Sequence, residues 1–116
     1  MEPTIQKSAL KVMTLVGTRP ELIKLSRVIP LLDKYMQHTF VHTGQNYSDQ
    51  LSSIFFKELN IRKPDFQLDV AADTAMKSIA QVLEKTDEVL EQVRPDALLV
   101  LGDTNSALAV LVAKRK

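Results

Sequence analysis

The chain has only three glycines, Gly17, Gly44 and Gly102, and each directly follows a short run that reads as a strand. The first run, Ala9-Leu10-Lys11-Val12-Met13-Thr14-Leu15-Val16, carries too little polarity to leave one face in water. It reads as a central strand of a parallel sheet, covered on both sides. Thr39-Phe40-Val41-His42-Thr43 and Ala97-Leu98-Leu99-Val100-Leu101 read as further strands, and a polar loop and a helical pattern follow each glycine. Strands that alternate with helices have few ways to close. The parallel strands need crossover helices, and right-handed crossovers place those helices against the sheet. The expected fold class is therefore α/β with a parallel sheet and helices on both faces.

Between these runs the remaining elements can be placed. Pro20 and Glu21 suit a first helical turn, where proline loses no hydrogen bond and a carboxylate meets the positive end of the dipole. Leu22, Ile23, Leu25, Val28, Ile29, Leu31 and Leu32 supply a broad apolar face, and Pro30 is expected to kink or split that helix. A second helix is expected from about Ser48 to Leu59, carrying Leu51, Ile54, Phe55 and Leu59. Lys63-Pro64-Asp65 makes a turn before a short third strand over residues 66–70. Asp73 or Thr74 can cap a long helix with Ile79, Val82, Leu83, Thr86, Val89, Leu90 and Val93 on one side, and Arg94-Pro95-Asp96 stops it. Strands starting near Leu10, Thr39, Phe66 and Ala97 should lie in the spatial order 3-2-1-4.

The last helix, about Ser106 to Lys114, is apolar nearly all round and needs cover on every side. The expectation is a loose leader over residues 1–8 and, over 9–116, the incomplete first part of a longer domain. That part should self-associate through its carboxyl end or meet a second domain. At 116 residues there is room for one ordinary domain. Fifteen Lys and Arg against fourteen Asp and Glu give a net charge of +1, which argues against nucleic acid or a membrane surface as partner. The absence of cysteine excludes disulfides, zinc-thiolate sites, iron–sulfur clusters and Cys nucleophiles. With no apolar run near the roughly 18 residues of a membrane span and no apolar centre in the leader, the chain reads as cytoplasmic.

In a parallel sheet the three glycine turns fall on one edge, the carboxyl edge, where open α/β folds bind ligands. They open the loops Gly17-Thr18-Arg19-Pro20-Glu21, Gly44-Gln45-Asn46-Tyr47 and Gly102-Asp103-Thr104-Asn105-Ser106. Any one of them could be a plain strand-to-helix turn; three converging favour a ligand site. Arg19 at the start of a helix suits a phosphate or diphosphate, the alternative being a surface pair with Glu21. Lys24 lies one turn further on and is either a second cation at that edge or solvated. Asp103 and Thr104 open the last helix either as caps or as reacting groups. Neither G-x-G-x-x-G nor G-x-x-x-x-G-K-[ST] occurs, which weakens NAD-type and P-loop readings. His38 and His42 lack a supporting carboxylate pattern for a metal site, and Phe55-Phe56 reads as core packing.

The run Lys11-Val12-Met13-Thr14-Leu15-Val16-Gly17-Thr18-Arg19-Pro20-Glu21-Leu22-Ile23-Lys24 resembles the opening of the non-hydrolysing UDP-N-acetylglucosamine 2-epimerases. Thr43-Gly44-Gln45 is similar to that family's T-G-Q turn, and Leu101-Gly102-Asp103-Thr104 to its G-D-T turn. The words around Pro20–Arg27 and Gly102–Ser106 look closest to a branch acting on UDP-linked 2-acetamido sugars for capsule or O-antigen synthesis. The resemblance implies a Rossmann-like domain, the first half of a B-type glycosyltransferase-like architecture with the site between two halves. It implies inversion at sugar C2 by elimination of UDP and re-addition, with no metal or redox cofactor. By position, Gly17, Thr18 and Arg19 would bind the nucleotide diphosphate, and Lys24 and Asp103 would act at the sugar. Gln45 would match a position linked to a regulatory UDP-sugar site. Later glutamates, a histidine and the second domain of that family find no counterpart in these residues, so the chain alone is expected to be inactive. The alternative is a non-catalytic remnant that binds a nucleotide sugar weakly or pairs with another chain.

Overall fold

The computed structural model describes residues 9–44, 56–71 and 73–100. The leader over 1–8, the first part of the helix expected from Ser48, Phe55 and the helix expected from Ser106 lie outside them. The elements are β1 (Lys11–Val16), α1 (Arg19–Leu25), α2 (Val28–Tyr35), β2 (Gln37–His42), β3 (Phe66–Gln67), α3 (Ala75–Val93) and β4 (Ala97–Leu99). The sheet runs β3-β2-β1-β4 with every pairing parallel, which is the expected order.

Alternation along the two central strands divides the core. Met13 and Leu15 of β1 and Val41 of β2 pack against Val82, Val89 and Leu90 of α3. Val16 and Phe40 point to the other face and meet Leu22, Leu25, Ile29, Phe56 and Ile61. Met13, Leu15, Val16, Ile29, Phe40 and Val41 are all fully buried. At about 1.5–3 kcal/mol per large apolar side chain, this burial outweighs any single hydrogen bond and fixes which face each helix covers.

Local chemistry sets the boundaries. The first helical stretch does split: α1 ends at Leu25 and α2 begins at Val28, because Pro30 has no N–H for the Ser26 carbonyl and its ring would strike that carbonyl in a continuous helix. Ser26 turns instead, its hydroxyl donating to the Ile23 carbonyl at 2.8 Å. Thr74 caps α3, its hydroxyl accepting from the Lys77 N–H, and Arg94 ends the helix in the left-handed region at φ 49, just ahead of Pro95, which cannot continue it.

The two short edge strands begin alike, each after a Pro-Asp pair. Asp65 takes the Phe40 N–H on its carboxylate at 2.8 Å and gives its own N–H to the Phe40 carbonyl at 2.7 Å. Asp96 does the same with Lys11, at 2.8 Å in both directions. Each aspartate thus fixes the register of an edge strand against a central one. The third strand is shorter than the expected 66–70 because Asp69 turns to φ 52, although the Leu68 and Val70 N–H groups still reach the His42 and Thr43 carbonyls. β2 starts at Gln37, two residues before the expected Thr39, since it pairs with the whole of β1.

Candidate functional site

The register of β1 and β2 puts Val16 beside His42, so the chain leaves both strands at the same carboxyl edge. Thr43 N–H donates to the Val16 carbonyl at 2.8 Å, which carries the pairing one step past the strands. There the first two glycine turns touch. A Cβ built on Gly44 would stand 2.9 Å from the Gly17 carbonyl oxygen and 2.8 Å from His42 Cε1. Gly44 is required by this close approach, since no glycine described here has positive φ.

Past Gly17, the turn is organised by a reciprocal cap. The Thr18 hydroxyl accepts the Glu21 N–H at 3.4 Å and donates to Glu21 Oε1 at 3.1 Å, while Oε1 also accepts the Gly17 N–H at 3.3 Å. Glu21 is only 2% exposed, so its carboxylate faces inward and the expected alternative of a surface Arg19–Glu21 pair does not fit. Arg19 opens α1 and Lys24 lies in its last turn, both exposed. Five positions apart, they are separated by about 140° around the helix and about 7.5 Å along it. The structure thus brings Gly17 against Gly44, with Thr18 and Arg19 continuing the first turn, and puts Lys24 on the same short helix as Arg19 but on another side. Gln45 and Asp103, with the whole third glycine turn, lie outside the described residues.

The second turn is braced from β3. The Gln67 amide donates to the Gly44 carbonyl and, at 3.0 Å, to His42 Nδ1. With Nδ1 accepting, the His42 proton sits on Nε2. Burial is the largest influence on this imidazole and pushes its pKa below the ordinary 6.5, against smaller upward pulls from the Gly44 carbonyl and Asp69.

At the opposite end of the sheet, His38 forms a different constellation. Its fully buried ring meets Asp33 Oδ1 through Nδ1 and the Thr14 hydroxyl through Nε2, each at 2.7 Å. Asp33 also takes Arg62 Nε at 3.0 Å, and Arg62 reaches Asp65 at 2.9 Å. Burial would raise the Asp33 pKa, but Arg62 and His38 outweigh it and hold the carboxyl below 3.8. The His38 ring and Thr14 are enclosed, and the bonds they make join β1, β2 and α2, while Asp33 and Arg62 stay about a third exposed. Among the described residues no group of three His, Asp or Glu could hold a metal ion.

Sequence reasoning missed two of these contributors. The Thr18-x-x-Glu21 spacing is a capping-box signature and was available to read. Gln67 offered no such signal, because its role depends on β3 lying beside β2.

The family described as UDP-N-acetylglucosamine 2-epimerase matches residues 32–116. A solved UDP-N-acetylglucosamine 2-epimerase from Rickettsia bellii superposes with a TM-score of 0.84 at 59% identity, over 93% of this chain and 29% of that one. The Methanocaldococcus jannaschii UDP-GlcNAc 2-epimerase, solved in complex with UDP-GlcNAc and UDP, gives a TM-score of 0.81 at 38% identity, over 91% of this chain and 30% of that one. A UDP-2,3-diacetamido-2,3-dideoxy-D-glucuronate 2-epimerase from Pseudomonas aeruginosa is 38% identical over 109 residues, which are 92% of this chain and 31% of that protein. The chain therefore spans about 30% of the length of the curated relatives it matches. A four-stranded parallel sheet in the expected order, a matched family over most of the sequence and 59% identity to a solved member agree: this chain belongs to the UDP-N-acetylglucosamine 2-epimerase family.

Proposed function

We propose that the chain supplies the N-terminal wall of a UDP-sugar 2-epimerase site, located where the Gly17 and Gly44 turns meet. The observation that carries this reading is the contact between those turns at the carboxyl edge, with exposed Arg19 at the start of α1 beside it. In this reading Gly17, Thr18 and Arg19 hold the diphosphate, and Lys24 and Asp103 act at the sugar. The whole reaction removes the proton at C2 while the bond from C1 to the diphosphate oxygen breaks, leaving a C1–C2 double bond. Return of a proton to the other face of C2 and of the diphosphate oxygen to C1 restores the sugar inverted. Cations beside the departing diphosphate and a carboxylate near C2 suit both steps, with no metal or redox cofactor needed.

Most of each relative's length has no counterpart among these 116 residues, so the acid and base groups here form an incomplete set. We expect the 116-residue chain, taken alone, to bind UDP weakly and to give no measurable epimerisation of UDP-N-acetylglucosamine by anomer-resolved NMR. The carboxyl-terminal apolar residues 107–113 are the segment proposed to meet a second copy or a further domain, and a clean monomer by sedimentation with 107–113 well protected from hydrogen exchange would count against that. Calorimetric titration with UDP tests the site: Arg19→Ala should weaken binding by about tenfold, the effect of losing one charge-assisted contact. Unchanged affinity would remove Arg19 from the site.

A further inference from the structure

Glu21 is among the most deeply buried side chains of the molecule, although it is a carboxylate in the first turn of α1. A carboxylate leaves water at a cost unless donors replace its hydration, and here both donors fall on one oxygen, Oε1. Oε2 is buried with no hydrogen-bond partner. A glutamate that merely capped its helix would reach the N–H of the capping residue, Thr18. Glu21 reaches one residue further back, to the glycine that follows β1. On its other side that glycine abuts the second turn, because its carbonyl oxygen lies 2.9 Å from where a Cβ on Gly44 would be. Gly17 is the shared point of the two turns, and Glu21 grips it.

We propose that Glu21 is a positioning residue for nucleotide-sugar binding: by fastening the Gly17 N–H and the Thr18 hydroxyl it sets the direction in which Arg19 leaves β1 and the spacing between the first two glycine turns. The proposal rests on the reading of this edge as the UDP-sugar site. Its test uses the 116-residue chain and the variants Glu21→Met, which fills the same space without an acceptor, Glu21→Gln, which keeps one acceptor oxygen, and Val82→Ala, which loosens the far side of the core. UDP affinity is read by calorimetry, and exchange of the Gly17 amide proton by NMR without ligand.

Glu21→Met should weaken UDP by about tenfold and speed Gly17 exchange, while Glu21→Gln stays within about threefold of the unmodified chain. Val82→Ala should lower stability and leave UDP affinity in place. If Glu21→Met does not fold, Glu21→Ala is read in the same way. The proposal is overturned if the variant lacking the acceptor binds UDP normally, if Val82→Ala weakens binding as much, or if Glu21→Gln fails as badly as Glu21→Met. Should the unmodified chain not bind UDP, the site reading falls, and Gly17 exchange still decides whether Glu21 holds the turn: unchanged exchange in Glu21→Met overturns it.

Discussion

Replacing His38 with Ala would remove a β2 side chain that is hydrogen-bonded to both β1 and α2. Its ring is fully buried and makes two hydrogen bonds of 2.7 Å, one to the Asp33 carboxylate and one to the Thr14 hydroxyl. The bond to an ionised partner is worth about 1.5–3 kcal/mol and the neutral one about 1 kcal/mol, while the vacated space forfeits ring contacts with Phe40. Asp33 keeps Arg62 and is 30% exposed, so water can soften its loss. Thr14 has no such recourse at 0% exposure. The sum is a destabilisation of about 2–4 kcal/mol, or a fall in Tm of roughly 10 °C for a chain of this size. Urea unfolding followed by far-UV circular dichroism is the suitable assay, because the sequence has no Trp to report by fluorescence. Thr14→Val, which keeps shape and removes only one partner, should cost about 1–3 kcal/mol, and the double variant should cost less than the two losses added. A His38→Ala chain within about 0.5 kcal/mol of the unmodified one would mean that the two bonds carry no net stability, since surface changes alone produce effects that small.

Gly44→Ala should destabilise by about 1–3 kcal/mol, because the new methyl meets the His42 ring at 2.8 Å and the Gly17 oxygen at 2.9 Å, and a melting temperature equal to that of the unmodified chain would show that the turns do not abut. Asp96→Ala should cost about 1–2 kcal/mol and raise amide exchange at Lys11, whereas unchanged exchange there would remove Asp96 from the register of β4. Acid should act in two windows. His42 titrates below 6.5 in the fold, so stability should be flat above that pH and decline beneath it as the unfolded chain takes a proton that the fold resists. Asp33, held below 3.8, adds a second loss only as the pH falls past that value, and a urea midpoint that rises from pH 7 to pH 5, or is unaltered by His42→Asn, would contradict the upper window.

What the sequence disclosed, and what it hid, follows from the range of each interaction. Cover on both faces of β1 was legible from its apolar run, and the structure puts Met13 and Leu15 on one face and Val16 on the other. The cap at Thr74, the stop at Arg94-Pro95 and the split ahead of Pro30 are all decided within a few residues, and all were readable. The strand order came from the crossover rule and needed no side-chain detail. His38 looked isolated because its carboxylate, Asp33, is on a helix and its other partner, Thr14, is on a neighbouring strand 24 residues away. Gln67 was silent for the same reason. At the candidate site, the glycine turn over Gly17, Thr18 and Arg19 was legible, and the inward turn of Glu21 was not, since its favourable position in a first turn already accounted for its presence.

The central claim is that the Gly17 and Gly44 turns together form one wall of a UDP-sugar site. Titrating isotope-labelled chain with UDP-N-acetylglucosamine and following amide shifts tests it most directly. The largest shifts should fall at Gly17, Thr18, Arg19 and Gly44, with smaller ones at Lys24 and none around Asp33, His38 and Arg62 at the other end of the sheet. Shifts confined to that far end, or absent at the glycine turns while the ligand binds, would contradict it.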